Sequence, residues 1–306
     1  MSRERMDATT KTRLVRYAGY PAFFLFAFAL MVYLTFPYQV LADQVAMAGR
    51  NAGFTIALGS IGPGLSGIRV QRVRVTAPKQ EGQSAEPEPL LIDELSVRPT
   101  LFPMGASFNA HLFGGTADGS AGLGKKPRLE LKLKAVDLAR ANAKAALGLD
   151  VGGKVNGAVE IESNEPVTFG PRGMEFDASK LQGRVALTGD SLAINGGTVA
   201  NYDLPRVDLG RLDAEVKIEP GKASVATFRT LGGDAESSLE GDIALQKLLA
   251  ISQLRLKVKF KPSEDFLKRN SFIQTGLSFA MGRDPKGYYA ANIDRTLGNP
   301  RFTPVR

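Results

Sequence analysis

Beyond residue 53 the chain alternates apolar and polar residues with a period of two over most of its length. In RLELKLKAV, Leu129, Leu131 and Leu133 fall on one side and Arg128, Glu130, Lys132 and Lys134 on the other. LRLKVKFK sets Leu254, Leu256, Val258 and Phe260 against Arg255, Lys257, Lys259 and Lys261. LDAEVKIE sets Leu212, Ala214, Val216 and Ile218 against Asp213, Glu215, Lys217 and Glu219. This pattern predicts antiparallel strands with one dry and one wet face. The phase slips between Val70 and Val73, which predicts a bulge near Gln71 and Arg72. GGKVNGAVEIE, LQGRVALTGD and SLEGDIALQ each place a glycine shortly before an alternating strand. They follow no fixed period, so they read as a recurring strand-entry device and not as a solenoid repeat.

Two stretches break the alternation with helical signals. DLARANAKAALGL starts at Asp137 with an acidic first residue, an Ala-rich body and Gly148 near its end. SEDFLKRNSFIQTGLSFAMG offers Ser263 as an N-cap after Pro262, with Glu264 and Asp265 in the first turn. Its stripe of Phe266, Ile273, Leu277 and Ala280, broken at Asn270, predicts a helix over 263–281 packed across one end of a sheet. Residues 43–51 extend a preceding helix, and 77–89 form a polar, Pro-containing surface loop.

The N-terminal segment has a different character. Residues 17–42 carry no charge, and the stretch holding Tyr20, Phe23, Phe24, Leu25, Phe26, Phe28, Leu30, Val32, Tyr33 and Leu34 is apolar enough to span a bilayer. Tyr17 and Tyr20 at one end, and Tyr33 and Tyr38 at the other, sit where interfacial aromatics belong. Arg13 and Arg16 flank the first end closely, whereas the nearest basic residue beyond the other is Arg50. The positive-inside bias then puts residues 1–16 in the cytoplasm and the body outside. A cleaved signal peptide has a shorter apolar run than this and a nearby small-x-small site; Ala46-Met47-Ala48 lies too far downstream.

Composition adds mainly exclusions. With no cysteine in 306 residues there is no disulfide framework, thiolate metal site or cysteine nucleophile. The net charge is +8, of which +3 comes from residues 1–16. The remainder is spread thinly, without the basic stripe and interleaved aromatics of a nucleic-acid binder. Gly62, Gly64 and Gly67 match G-x-G-x-x-G, but a strand of alternating residues follows where a dinucleotide site needs a helix. Pro63 also removes a backbone donor, so the motif reads as a turn between strands and no cofactor is assigned. His111, the one histidine, has no nucleophile or second ligand beside it. Glu86, Glu88, Asp93 and Glu94 read as a solvated face, leaving no catalytic or metal residue to name.

The anchor running into FPYQVL at 36–41, the segment GFTIALGSIGPGLSGIRVQRVRV from Gly53, and the closing GYYAANIDRTLGNPRFTP at 287–304 together resemble one family. It is the N component of the type II (general) secretion pathway, itself similar to AsmA-like proteins. The resemblance implies a cytoplasmic stub, one inner-membrane helix and a periplasmic body of glycine-led strands curling into a groove. It also implies contact with other secretion components, and no catalytic residue. One position departs from the pattern: where a Gly is expected before the final Thr-Leu, this chain has Arg295 before Thr296 and Leu297. That leaves the register of the last strand open.

The expected fold is therefore mainly β. A single transmembrane helix (17–41) precedes a curved, elongated antiparallel sheet with two short helices (42–306), forming either an AsmA-like groove or a sandwich. The expected role is a non-enzymatic, inner-membrane-anchored periplasmic component of type II secretion, whose partners are the membrane and other secretion proteins. The alternative is a lipid-binding or lipid-transfer protein of the envelope, with Leu129, Leu131, Leu133, Leu254, Leu256, Val258 and Phe260 on the face that would meet lipid. No nucleic-acid partner is expected.

Overall fold

The structure is a computed structural model. It describes residues 23–24, 27–28, 31, 35, 38–51, 55–64, 67–76, 89–100, 104–122, 124–141, 149–166, 168–170, 173–175, 177–199, 202–297 and 299–305. Helix α1 (Tyr38–Asn51) leads into a meander of long strands. These are β1 (Thr55–Pro63), β2 (Ile68–Thr76), β3 (Leu90–Thr100), β4 (Gly105–Leu112), β5 (Gly115–Gly122), β6 (Arg128–Asp137) and β7 (Leu149–Ser163). A small hairpin, β8 (Thr168–Gly170) with β9 (Gly173–Glu175), interrupts the meander before β10 (Leu181–Val199). The short β11 (Tyr202–Leu204) adds to β10, and the meander resumes with β12 (Val207–Glu219), β13 (Lys222–Leu231), β14 (Ala235–Ala244) and β15 (Gln253–Pro262). Helices α2 (Glu264–Arg269) and α3 (Ser271–Ala280) then precede β16 (Tyr289–Thr296) and β17 (Asn299–Pro304).

Each long strand pairs antiparallel with the next one along the chain. The sheet is open, because β1 pairs only with β2 and β17 only with β16. Among the described residues no second layer covers it. Many of the buried apolar residues are small, such as Ala110, Ala117, Ala214, Ala223 and Ala291, and Ser252 is the largest fully buried side chain among the described residues. Two sheets packed face to face would bury their large aliphatic residues completely. Of the candidate face residues, Leu254 alone is buried; Leu131, Leu133, Leu256, Val258 and Phe260 are half-buried, and Leu129 is exposed. Among the described residues the long strands form one sheet and not the two packed sheets of a sandwich.

The glycine-led strands have a structural cause. Gly183 (φ 150°) and Gly241 (φ 128°) come from two of the three similar sequence stretches. At each, a Cβ would lie about 2 Å from a carbonyl oxygen of the adjacent strand, Glu160 or Arg255, so only glycine lets the backbones approach there. The predicted phase slip falls where expected, with Arg72 at φ 55°. It is not a one-strand bulge. Leu58 stays opposite Val73 and Ser60 opposite Gln71, so Gly59 on β1 slips in step with Arg72. The register shift appears one strand further on, between β3 and β4 at Ile92 and Glu94.

One helix expectation needs correction, and another at its described start. The segment from Asp137 starts as the last residue of β6 followed by turns through Ala141, and 142–148 lie outside the described residues. Asp137 folds back on itself, its carboxylate accepting from the Ala139 N–H at 3.0 Å, which suits a turn. The segment 263–281 is two helices, not one. Ser263 caps the first as predicted, its Oγ accepting from the Phe266 N–H at 3.2 Å. Asn270 ends it, with N–H and side-chain bonds to the Phe266 carbonyl. Phe266 and Leu267 of α2 are buried, whereas Phe272 on α3 is exposed, so only the first of the pair packs inward.

No helix among the described residues is long and apolar enough to cross a membrane. Within the expected anchor, Phe23, Phe24, Ala27, Phe28, Met31 and Thr35 are helical, and the aromatic and Met side chains among them are exposed. Tyr20, Leu25, Phe26, Leu30, Val32, Tyr33, Leu34, Arg13 and Arg16 lie outside the described residues.

Candidate functional site

Residues directly opposite each other in an antiparallel pair project from the same face. The registers can therefore be followed from strand to strand. One row runs Ile61, Val70, Leu95, Ala110, Ala117, Leu133, Gly157, Leu187, Ala214, Phe228. A second runs Ile68, Val97, Phe108, Gly119, Leu131, Val159, Val185, Val216, Val225. A third runs Ala106, Ala121, Leu129, Ile161, Gly183, Ile218, Ala223, Ile243, Leu254. Past β14 the rows continue as Leu239, Val258, Ala291, Pro304 and as Gly241, Leu256, Ile293, Phe302. No charged residue enters any of them.

The two groups of candidate residues, Leu129, Leu131 and Leu133 on β6 and Leu254, Leu256, Val258 and Phe260 on β15, thus lie on one face. The third row links them. That face crosses all fourteen strands of the meander. With neighbouring strands ~4.8 Å apart, its contour from β1 to β17 is about 62 Å.

Its floor is smoothed by side chains laid over glycines. The ring of Phe108 occupies the space a Cβ at Gly119 would need, and Leu187 does the same at Gly157. Near β15, Phe260 stacks on Tyr289 with ring centroids 5.7 Å apart. These small positions are residues the alternation did not single out; their only sequence signal is glycine and alanine standing where the period calls for a large aliphatic residue.

The opposite face is polar. Arg184 Nη2 reaches Glu215 Oε2 at 2.9 Å, Arg229 Nη2 reaches Asp213 Oδ2 at 3.1 Å, and Lys259 Nζ reaches Glu240 Oε1 at 3.4 Å. Arg69 Nε lies 3.0 Å from Glu94 Oε1. These exposed pairs contribute at most about 1 kcal/mol each and serve mainly to keep this face wet. A pocket of about 480 Å³ sits on this side, under the turn Asp284–Tyr288, lined by Arg229, Ser238, Glu236 and Lys259. Its mixed charges are largely matched within the sheet. His111 is exposed on the same side, opposite Thr116 and Glu94. No group of acidic or histidine residues able to hold a metal ion occurs among the described residues.

Comparison of the sequence with family models and curated proteins, and of the fold with solved structures, gives no match. The functional reading therefore rests on the chain's own geometry.

Proposed function

We propose that this protein binds the acyl chains of lipids along its open apolar face, as a membrane-anchored, non-enzymatic lipid-handling component of the bacterial cell envelope. One observation carries the reading: an apolar face whose overlapping rows together cross fourteen strands, with no second layer over it among the described residues. Each methylene laid down on such a surface and fully buried contributes about 0.8 kcal/mol, so a chain spread over several strands is held without any directional contact. The polar back keeps the other side in water. The apolar 17–41 segment, with Arg13 and Arg16 before it, supports an inner-membrane anchor and a periplasmic location for the sheet. In this reading the sheet curls along its bulges into an AsmA-like groove, and the resemblance noted in the sequence supports it.

The test is the lipid content of the purified full chain, measured by mass spectrometry of an organic extract. Bound phospholipid in reproducible amounts, lost in Leu131→Asp or Val258→Asp while the circular dichroism of the sheet is unchanged, is the expected result. A folded wild-type chain without lipid would overturn the reading.

A second reading has its own observation. α3 carries no charge and leaves Phe272 60 % exposed, a surface suited to another envelope protein. Together with the resemblance to the N component, it supports a structural or assembly role in type II secretion.

A further inference from the structure

The exposed large apolar residues of the sheet are not evenly scattered. Leu248 (62 %), Leu249 (41 %), Ile251 (51 %), Leu297 (44 %) and Phe302 (65 %) gather at one corner, at the end of the strand order farthest from α1. Four of them sit on two adjacent connections, 245–252 between β14 and β15 and the turn from β16 to β17.

Ser252 fixes this corner. It is completely buried, its N–H donates to the Leu249 carbonyl at 3.0 Å, and its Oγ accepts from the Gln246 N–H at 3.0 Å. Its carbonyl accepts from the Leu297 N–H at 2.8 Å, which joins the two connections. Backbone groups of the loop are thereby tied inward onto one serine, and Leu245 is buried with it, while Leu248, Leu249 and Ile251 are left outside. A connection that only joins two strands has no need of this, since loop surfaces are ordinarily polar.

The corner continues the apolar face. Ile243 pairs with Leu254 just inside it, and the row Gly241, Leu256, Ile293 ends at Phe302. Two cations border it. Lys247 is in the loop itself, near Asp177, and Arg295 stands one residue from the β16–β17 turn in the left-handed region at φ 71°. Arg255 and Arg301 also lie close, facing Asp242 and Asp294 across their strand pairs.

We propose that this corner inserts its aliphatic side chains into a phospholipid surface, so that the apolar face opens onto a membrane at the end remote from α1; this rests on the acyl-chain reading of that face. A protein partner is a poorer fit. Protein interfaces carry about one hydrogen bond per 100–200 Å², and the five exposed side chains bring no polar atom. A fluid hydrocarbon layer needs none, and bordering cations suit its anionic headgroups.

The cysteine-free chain makes the test direct. Leu249→Cys, Leu297→Cys and, on the neighbouring turn, Glu219→Cys are each labelled with an environment-sensitive fluorophore in the full chain, held in nanodiscs. Vesicles of phosphatidylethanolamine and phosphatidylglycerol carrying nitroxide-labelled lipid are then added. The expected result is quenching at 249 and 297 but not at 219. Adding Leu248→Asp to the 297-labelled chain should weaken vesicle binding about tenfold or more, the equivalent of one leucine withdrawn from lipid. Absence of quenching at both positions overturns the inference. So does an emission change that needs no vesicles and rises with protein concentration, which would mean that the corner meets a second copy. Lipid bound per chain is measured on the same preparations in detergent, before they are placed in nanodiscs. A chain that holds lipid but shows no quenching fails this inference alone, and a quenched corner on a lipid-free chain fails the acyl-chain reading alone.

Discussion

Phe108 on β4 lies across Gly119 on β5, its register partner, with the ring Cζ 2.3 Å from where a Cβ at 119 would be. The carbonyl oxygen of Glu130, on the next strand, stands 2.5 Å from the same point. The glycine is therefore a slot filled by an aromatic ring on one side and a backbone on the other. This arrangement protects a sheet glycine that would otherwise weaken its strand.

Gly119→Val should cost about 1–3 kcal/mol in urea unfolding, as an overpacked position. Phe108→Ala in the same chain should recover only part of the loss, because the Glu130 carbonyl stays in the way. Full recovery would mean that the ring alone fills the slot.

Arg295→Gly should stabilise the protein. Arg295 holds φ 71°, a conformation that costs an L-residue about 1–2 kcal/mol. Glycine removes that strain but loosens the unfolded chain by about 0.4–1 kcal/mol. The balance favours glycine by about 0.5–1 kcal/mol, read as a higher urea midpoint with unchanged slope. The register is intact, with Arg295 opposite Pro300 and Thr296 opposite Asn299. The conformation expected of the missing glycine is thus present, carried by arginine.

Pro300 and Pro304 blunt the outer edge of β17. The Val305 N–H donates inward to the Ala290 carbonyl, so by the alternation of an antiparallel ladder the outward donors belong to 300, 302 and 304. Two of the three are prolines without an N–H, and Phe302 alone can donate. Replacing both prolines by alanine should promote self-association through this edge, seen as a rise in sedimentation-average mass with concentration. An unchanged mass would show that the edge is protected by something else. Strand addition by a partner at this edge is opposed for the same reason.

Asp177 lies beside the loop that Ser252 organises, where the Ala178 N–H donates to the Lys247 carbonyl. Hydrogen bonds from the Ser179 hydroxyl and N–H, assisted by Lys180 and Lys247, hold its carboxyl below the usual carboxylate range against the cost of desolvation. A folded-state value below the unfolded one contributes stability above the unfolded value of about 4, and that contribution is lost as pH falls through the folded value. Asp177→Asn should melt lower than wild type at neutral pH, and the gap should close on acidification below pH ~4. A gap that persists in acid would assign the effect to the lost hydrogen-bond geometry instead.

Much of this architecture could be read along the chain. The alternations around Leu131, Ala214 and Val258 identified strands and the side each residue takes. Ser263 was recognisable as a cap, Gly62 to Gly67 as a turn, and the slip at Arg72 was visible in the spacing of Val70 and Val73. The helix start expected at Asp137 is a turn because the Asp137 side chain bonds its own backbone; the alanines from 142 onward lie outside the described residues. The corner at Leu248 to Ile251 was passed over, since a short apolar run between two strands looks the same whether it is buried or exposed.

The sequence by itself determined the strands and the two-sidedness of each one, because side-chain period is a local property of an extended backbone. It could not determine that Leu129 and Leu254, 125 positions apart, share one face. That depends on register carried through six strand pairings, with every bulge and glycine along the way either keeping or shifting the phase. Nor could it determine that the face is left open. Burial is decided by what packs against a surface, and only the tertiary structure shows that no second layer does so among the described residues.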